Sequence, residues 1–130
     1  MKTRYNLPLA IIVTTALFTF LHGGAFEAGV IPVINVVTMC LFTTALYEAE
    51  ITILAPILAH AIWNVVGAII LGGISLADDY PSLYSMTASG NTILSGGNYR
   101  IEASIVVTVI NIGLMIFFYF RYNKRRVAEE

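Results

Sequence analysis

Two histidines and one asparagine are the residues of this chain best placed to do chemistry. His22 closes the stretch Phe18-Thr19-Phe20-Leu21-His22, and His60 opens His60-Ala61-Ile62-Trp63-Asn64, both within runs otherwise apolar enough to lie in a membrane. An imidazole or amide in hydrocarbon is costly unless it finds a partner or water, so such groups face a bundle interior and usually act there. His60 and Asn64 are four residues apart, which puts them on one helix face a turn from each other. A neutral imidazole at that place can hold a polarised water or a metal, and the amide can donate to a developing oxyanion. Phe18, one turn before His22, would pack beside its ring. A plainer account also stands: His22 borders Gly23-Gly24 and could donate to helix-terminal carbonyls, and His60 with Asn64 could simply tie helices together.

The elements that must position these residues are apolar helices. The 130-residue chain is 58% hydrophobic and only 12% charged, with a mean hydropathy of +0.81. A soluble domain carries about twice that charged fraction. The expected fold class is therefore all-α, a polytopic membrane helix bundle of about four transmembrane helices in one domain over residues 1–130. The apolar runs cover about residues 7–22, 30–47, 51–72 and 103–120, and residues 73–102 form an external loop. Runs of about 17–25 residues cross ~30 Å of hydrocarbon as helices, and the first is slightly short.

Charge orients the bundle. Lys2 and Arg4 precede the first run, Arg121, Lys124, Arg125 and Arg126 follow the last, and Arg100 alone lies elsewhere. An even number of spans with basic residues at both ends places both termini in the cytoplasm, with the chain multi-pass in a membrane. The short basic tail suits a juxtamembrane anchor rather than a nucleic-acid face. The acids Glu27, Glu48, Glu50, Asp78, Asp79 and Glu102 fall in the connections between runs. None lies within a run, which argues against a proton-coupled exporter.

Smaller features complete the reading. Pro56, one turn before His60, frees a carbonyl and is expected to kink the third span. Glu48 and Glu50 are expected as solvated acids of a short turn, and a short interfacial helix is expected near residues 81–86. Phe117, Phe118, Tyr119, Phe120 and Tyr122 read as an interfacial belt. Cys40, the only cysteine, reads as a small packing residue. The basic start, apolar run and small residues near Ala25 also resemble a secretory signal peptide, although the run is long for one.

Phe-x-x-x-His on one span and His-x-x-x-Asn two spans later is the order found in the CAAX-protease and bacteriocin-processing family of intramembrane endopeptidases. The chain resembles the carboxy-terminal part of such a protein: Phe18 and His22 match its second motif, His60 and Asn64 its third, and residues 96–104 resemble the loop before its last helix. The family's first motif, Glu-Glu-x-x-x-Arg, supplies the glutamate thought to activate water, and this sequence does not contain it. Glu48-Ala49-Glu50 has the wrong spacing, and Glu129-Glu130 ends the chain. Residues 3–8 resemble the linker after the missing glutamate helix, so Met1 reads as a start inside a longer gene or as an evolutionary truncation.

The resemblance implies an enzyme, an endopeptidase that hydrolyses a membrane-associated protein or peptide, here a fragment weakly active or inactive by itself. It implies catalytic roles for His22, His60 and Asn64, with Phe18 as motif support: His22 would position the water or assist proton transfer, and His60 and Asn64 would stabilise the oxyanion. It admits a divalent metal, although without the missing glutamate two histidines and an asparagine fall short of the usual three strong ligands of catalytic zinc. The partners implied are membrane lipid, the substrate and a second chain supplying the glutamate helix, with no nucleic acid, in a plasma membrane. The alternative is a non-catalytic membrane immunity or scaffold protein derived from the same family.

Overall fold

The computed structural model describes residues 6–74 and 81–129. The expectations for Lys2, Arg4, Asp78 and Asp79, and for Glu130, lie outside the described residues. Helix α1 spans Leu7–Leu21, α2 Gly24–Ala28, α3 Val30–Glu50, α4 Leu54–Asn64, α5 Thr92–Ser95 and α6 Ile105–Glu129. A π-helical segment, Val65–Ile70, continues α4 directly, and two 3-10 turns, Gly97–Tyr99 and Ile101–Ala103, lead into α6. No strand occurs among the described residues, so the architecture is all-α as expected.

The helix ends follow from local chemistry. Asn6 caps α1 by accepting from the Leu9 amide at 2.9 Å. His22 follows as its C-cap, so the histidine sits where the helix stops and Gly23 and Gly24 begin α2. Helix α3 runs three residues beyond the expected boundary at Tyr47 and ends at Ile51, whose φ of +51° reverses the chain. Glu48 and Glu50 therefore belong to the last turn of α3, not to a loop. An ion pair from Glu50 to Arg121 Nε at 2.8 Å holds the acid there.

The third apolar run departs furthest from expectation. Pro56 produces no interior kink, because α4 begins at Leu54 and places Pro56 in its first turn. There the missing amide would have had no intrahelical partner anyway. The irregularity comes instead at the π segment, immediately after Asn64. Residues 81–86 are not helical either. The amides of Leu83, Tyr84 and Met86 donate to the carbonyls of Ile69, Ile70 and Leu71 at 2.8–2.9 Å. They satisfy acceptors that a helix end leaves open, and that use of the backbone replaces a helix of their own.

Helix α3 is the centre of the bundle, and α1, α4 and α6 all pack on it. Met39, Phe42 and Leu46 repeat along one face of α3, and Phe18, Ala55, Ala59, Trp63, Met115 and Phe118 close around them. Phe118 thus leaves the expected aromatic belt for the core, 6.0 Å from Phe42 between ring centroids. Its neighbours Phe117, Tyr119 and Phe120 remain exposed. Cys40 is buried as expected.

Helices α3 and α6 run parallel and are tied at both ends. At one end Asn35 donates to the carbonyls of Glu102 and Ser104 at 2.7 and 2.9 Å and accepts from Thr108. Asn111 donates to the Asn35 carbonyl and to Thr38 at 3.3 and 3.2 Å. At the other end lie the Glu50–Arg121 pair and a bond from Arg125 to the Ala49 carbonyl at 3.3 Å. Polar groups are buried between helices while Ile12, Phe20, Leu21, Ile57, Ile62, Val109 and Phe117 face outward. Lipid offers no hydrophobic drive for helix association, so interhelical hydrogen bonds and close packing carry it, and this inside-out distribution is the result.

Two helices, Val30–Glu50 and Ile105–Ala128, are long and apolar enough to cross a membrane; Leu7–Leu21 and Leu54–Ile70 are apolar but shorter.

Candidate active site

The turn after α1 and the exit of α4 bring the motif residues together. His22 stacks on Phe18 with ring centroids 4.3 Å apart. His60 meets both rings edge-on, at 5.6 Å from Phe18 and 5.9 Å from His22. All three rings, with Asn64, line one cavity of about 470 Å³. The alternative of His22 as a helix-terminal donor is partly realised, since its Nδ1 lies 2.7 Å from the Phe18 carbonyl. That contact has a chemical consequence. A carbonyl only accepts, so Nδ1 carries the proton and the lone pair of the neutral ring is left on Nε2.

His60 behaves differently. Its Nδ1 is buried and makes no hydrogen bond among the described residues. A polar atom left open in this way is rare and calls for an explanation. Asn64 stands one helical turn from His60, about 6 Å along α4, and the π segment starts at the next residue. Such segments recur at functional sites because the extra residue per turn redirects the side chains around it.

Arg100 secures this exit. Its guanidinium donates to the carbonyls of Gly72 and Ile74 at 2.8 and 3.4 Å. A cation there complements the carbonyl end of the α4 and π-helical run. The backbone at Arg100 has a φ of +59°, an uncommon conformation for a side-chain-bearing residue. Gly96 permits the preceding turn: its φ is +79°, and a Cβ there would run into the Arg100 carbonyl.

Several lining residues were not singled out from the sequence. Asn35, Glu27, Glu102, Trp63 and Tyr99 all line the cavity. Tyr99 Oη donates to the Glu27 carbonyl at 3.4 Å and so links the last loop to α2. For Asn35 a signal existed, since it is a lone amide within an apolar run. Glu27 and Glu102 gave none, because loop acids are ordinarily solvated.

His22, His60 and Asn64 do not by themselves complete a catalytic metal site. Among the described residues no three His, Cys, Asp or Glu side chains are grouped as ligands. Two imidazoles and an amide lack the three strong donors that catalytic zinc takes from protein.

The family model described as type II CAAX prenyl endopeptidase Rce1-like covers residues 1–66. No curated protein matches, and no solved structure does. The match takes in half of the 130 residues, including Phe18, His22, His60 and Asn64. The chain belongs to the type II CAAX prenyl endopeptidase Rce1-like family and is integral to the membrane.

Proposed function

We propose that this chain acts in an intramembrane endopeptidase that hydrolyses a peptide bond of a membrane-associated protein or peptide. The observation that carries the proposal is the convergence of His22, His60 and Asn64 on one cavity, with His22 held as the Nδ1–H tautomer. Four apolar helices cross a plasma membrane with both termini cytoplasmic, which sets the cavity toward the outer half.

In this reaction His22 Nε2 receives a proton as water adds to the scissile carbonyl. The Asn64 amide and the His60 ring donate to the resulting oxyanion. The tetrahedral adduct collapses with cleavage of the C–N bond, and the proton held on His22 passes to the leaving amine. Water is split between the two products, so the balance closes. Each oxyanion donor is worth about 3–4 kcal/mol of transition-state stabilisation in sites of this kind. A second chain carrying a glutamate helix supplies a carboxylate that shares with His22 Nε2 the task of taking the water's proton, and the isolated chain is weakly active or inactive.

The test is hydrolysis of a membrane-tethered peptide by the reconstituted chain, alone and with a glutamate-bearing helix supplied by a second chain. Cleavage in the second case that disappears with His22→Ala or His60→Ala supports the proposal. Undiminished cleavage by both variants overturns it.

A further inference from the structure

We propose that Arg100 is a positioning residue for the Asn64 amide, acting by locking Ile74 into the space that Gly67 leaves open in the π segment. This deepens the endopeptidase reading and rests on it for what the amide does. Asn64 is the last residue of α4, and the π segment Val65–Ile70 follows it directly. Residues 72–74 turn back on that segment: the Gly67 carbonyl accepts from the Gly73 and Ile74 amides at 2.7 and 3.2 Å. A Cβ at Gly67 would overlap Ile74 Cδ1 and Cγ1, so the Ile74 side chain sits where a side chain of residue 67 would be. Ile74 is 4% exposed and lines the same cavity as His60 and Asn64.

A π turn carries one residue more than an α turn, and such turns are rare. The register is held here from outside, through six consecutive carbonyls engaged by later parts of the chain. Those of Ile69, Ile70 and Leu71 accept from the amides of Leu83, Tyr84 and Met86, and that of Gly73 accepts from the Ile101 amide at 3.1 Å. The Arg100 guanidinium takes the remaining two, on Gly72 and Ile74. The other donors are backbone amides, so Arg100 is the one that a side-chain substitution removes. A slip back to α register would turn the chain after Asn64 by about 100°. That would carry Ile74 out of the wall it shares with Asn64 and change the turn on which the amide stands.

The lock is tested in the full chain, in phosphatidylcholine nanodiscs, with two readouts. One needs no substrate: the side-chain amide resonance of Asn64 in asparagine-labelled protein, identified by its loss in Asn64→Ala. The other is steady-state hydrolysis of a membrane-tethered peptide with the glutamate-bearing second chain. Gly67→Ala puts a methyl group into the seat of Ile74. Alanine is the better helix former, so a loss there comes from the displaced Ile74. The amide resonance should shift and kcat should fall by about tenfold or more, with KM within about twofold of the parent. Adding Ile74→Ala removes the overlapping atoms, lets the turn close again and should recover most of both. Arg100→Met keeps the stem and removes the donors, so it should reproduce Gly67→Ala; Arg100→Lys keeps a donor and should do so less.

An Asn64 resonance and a kcat unmoved by Gly67→Ala and Arg100→Met would overturn the proposal, even with a lowered melting temperature, and would leave the lock a purely structural tie. So would a loss in Gly67→Ala that Ile74→Ala fails to relieve. Should Gly67→Ala not fold, Arg100→Met decides alone by the same two readouts. An Asn64 resonance that responds as expected, with no hydrolysis by any chain including the parent, would overturn the endopeptidase reading and leave the positioning of Asn64 standing.

Discussion

His22 donates its Nδ1–H to the Phe18 carbonyl at 2.7 Å while stacking on the Phe18 ring, and this double hold sets both its tautomer and its plane. Replacement of His22 by glutamine keeps a polar group but removes the basic nitrogen. In the reconstituted two-chain system kcat should fall by about 10²–10⁴, with KM within about twofold of the parent if His22 acts only in proton transfer. Phe18→Leu retains the carbonyl and loses the stack, so its loss should stay below about tenfold. Steady-state kinetics beside a binding titration checks both.

The oxyanion role proposed for Asn64 makes a distinct prediction. Asn64→Ala should lower kcat by about 10²–10³ with little change in KM, since the charge it meets exists only in the transition state. Asn64→Asp should be no better, because it sets a carboxylate where negative charge develops. A change confined to KM would contradict the assignment.

Asn35 joins α3 to the start of α6 through two donated bonds and one accepted one. Interhelical hydrogen bonds in membranes average about 0.6 kcal/mol each, so Asn35→Ala should cost about 2 kcal/mol of bundle stability. Hydrogen exchange should speed up first at residues 102–108, which lose their hold on α3. Reversible unfolding in detergent together with exchange mass spectrometry measures both effects.

The ion pair at the opposite end is worth less. Glu50 and Arg121 lie at the surface, with side-chain exposures of 31% and 57%. Their coupling energy should be about 0.2–1 kcal/mol in a double-mutant cycle of Glu50→Ala and Arg121→Ala, and it should weaken as salt is raised. A coupling of several kcal/mol would mean that the pair is far less hydrated than its exposure implies.

Two glycines should answer the same substitution in opposite ways. Gly96 has a positive φ and no room for a Cβ against Arg100, so Gly96→Ala should destabilise by more than about 1–2 kcal/mol. Gly113 lies within α6, and a Cβ added there would meet no atom within 4 Å. Gly113→Ala should be neutral or stabilising by up to about 1 kcal/mol. Thermal unfolding of the two variants in the same detergent distinguishes them.

The sequence by itself determined the helical class, the apolar elements and the residues worth testing. An amide or imidazole inside an apolar run cannot be hidden, because hydrocarbon leaves it no water to bond. Spacing alone also put His60 and Asn64 on one face. It could not show that His22 and His60 meet, because periodicity describes one helix at a time and their ring contact depends on how α1 and α4 sit on α3. Nor could it locate the irregularity of the third run: Pro56 marks a breaker, but whether it kinks a helix or starts one depends on where the first turn falls. Tertiary structure decided that Glu50 stays helical through Arg121, that Phe118 leaves the lipid face for Phe42, and that Glu27 and Glu102 line the cavity holding the histidines. Each of these rests on a partner far away in the chain, and a local pattern of residues carries no information about which distant group will arrive beside it.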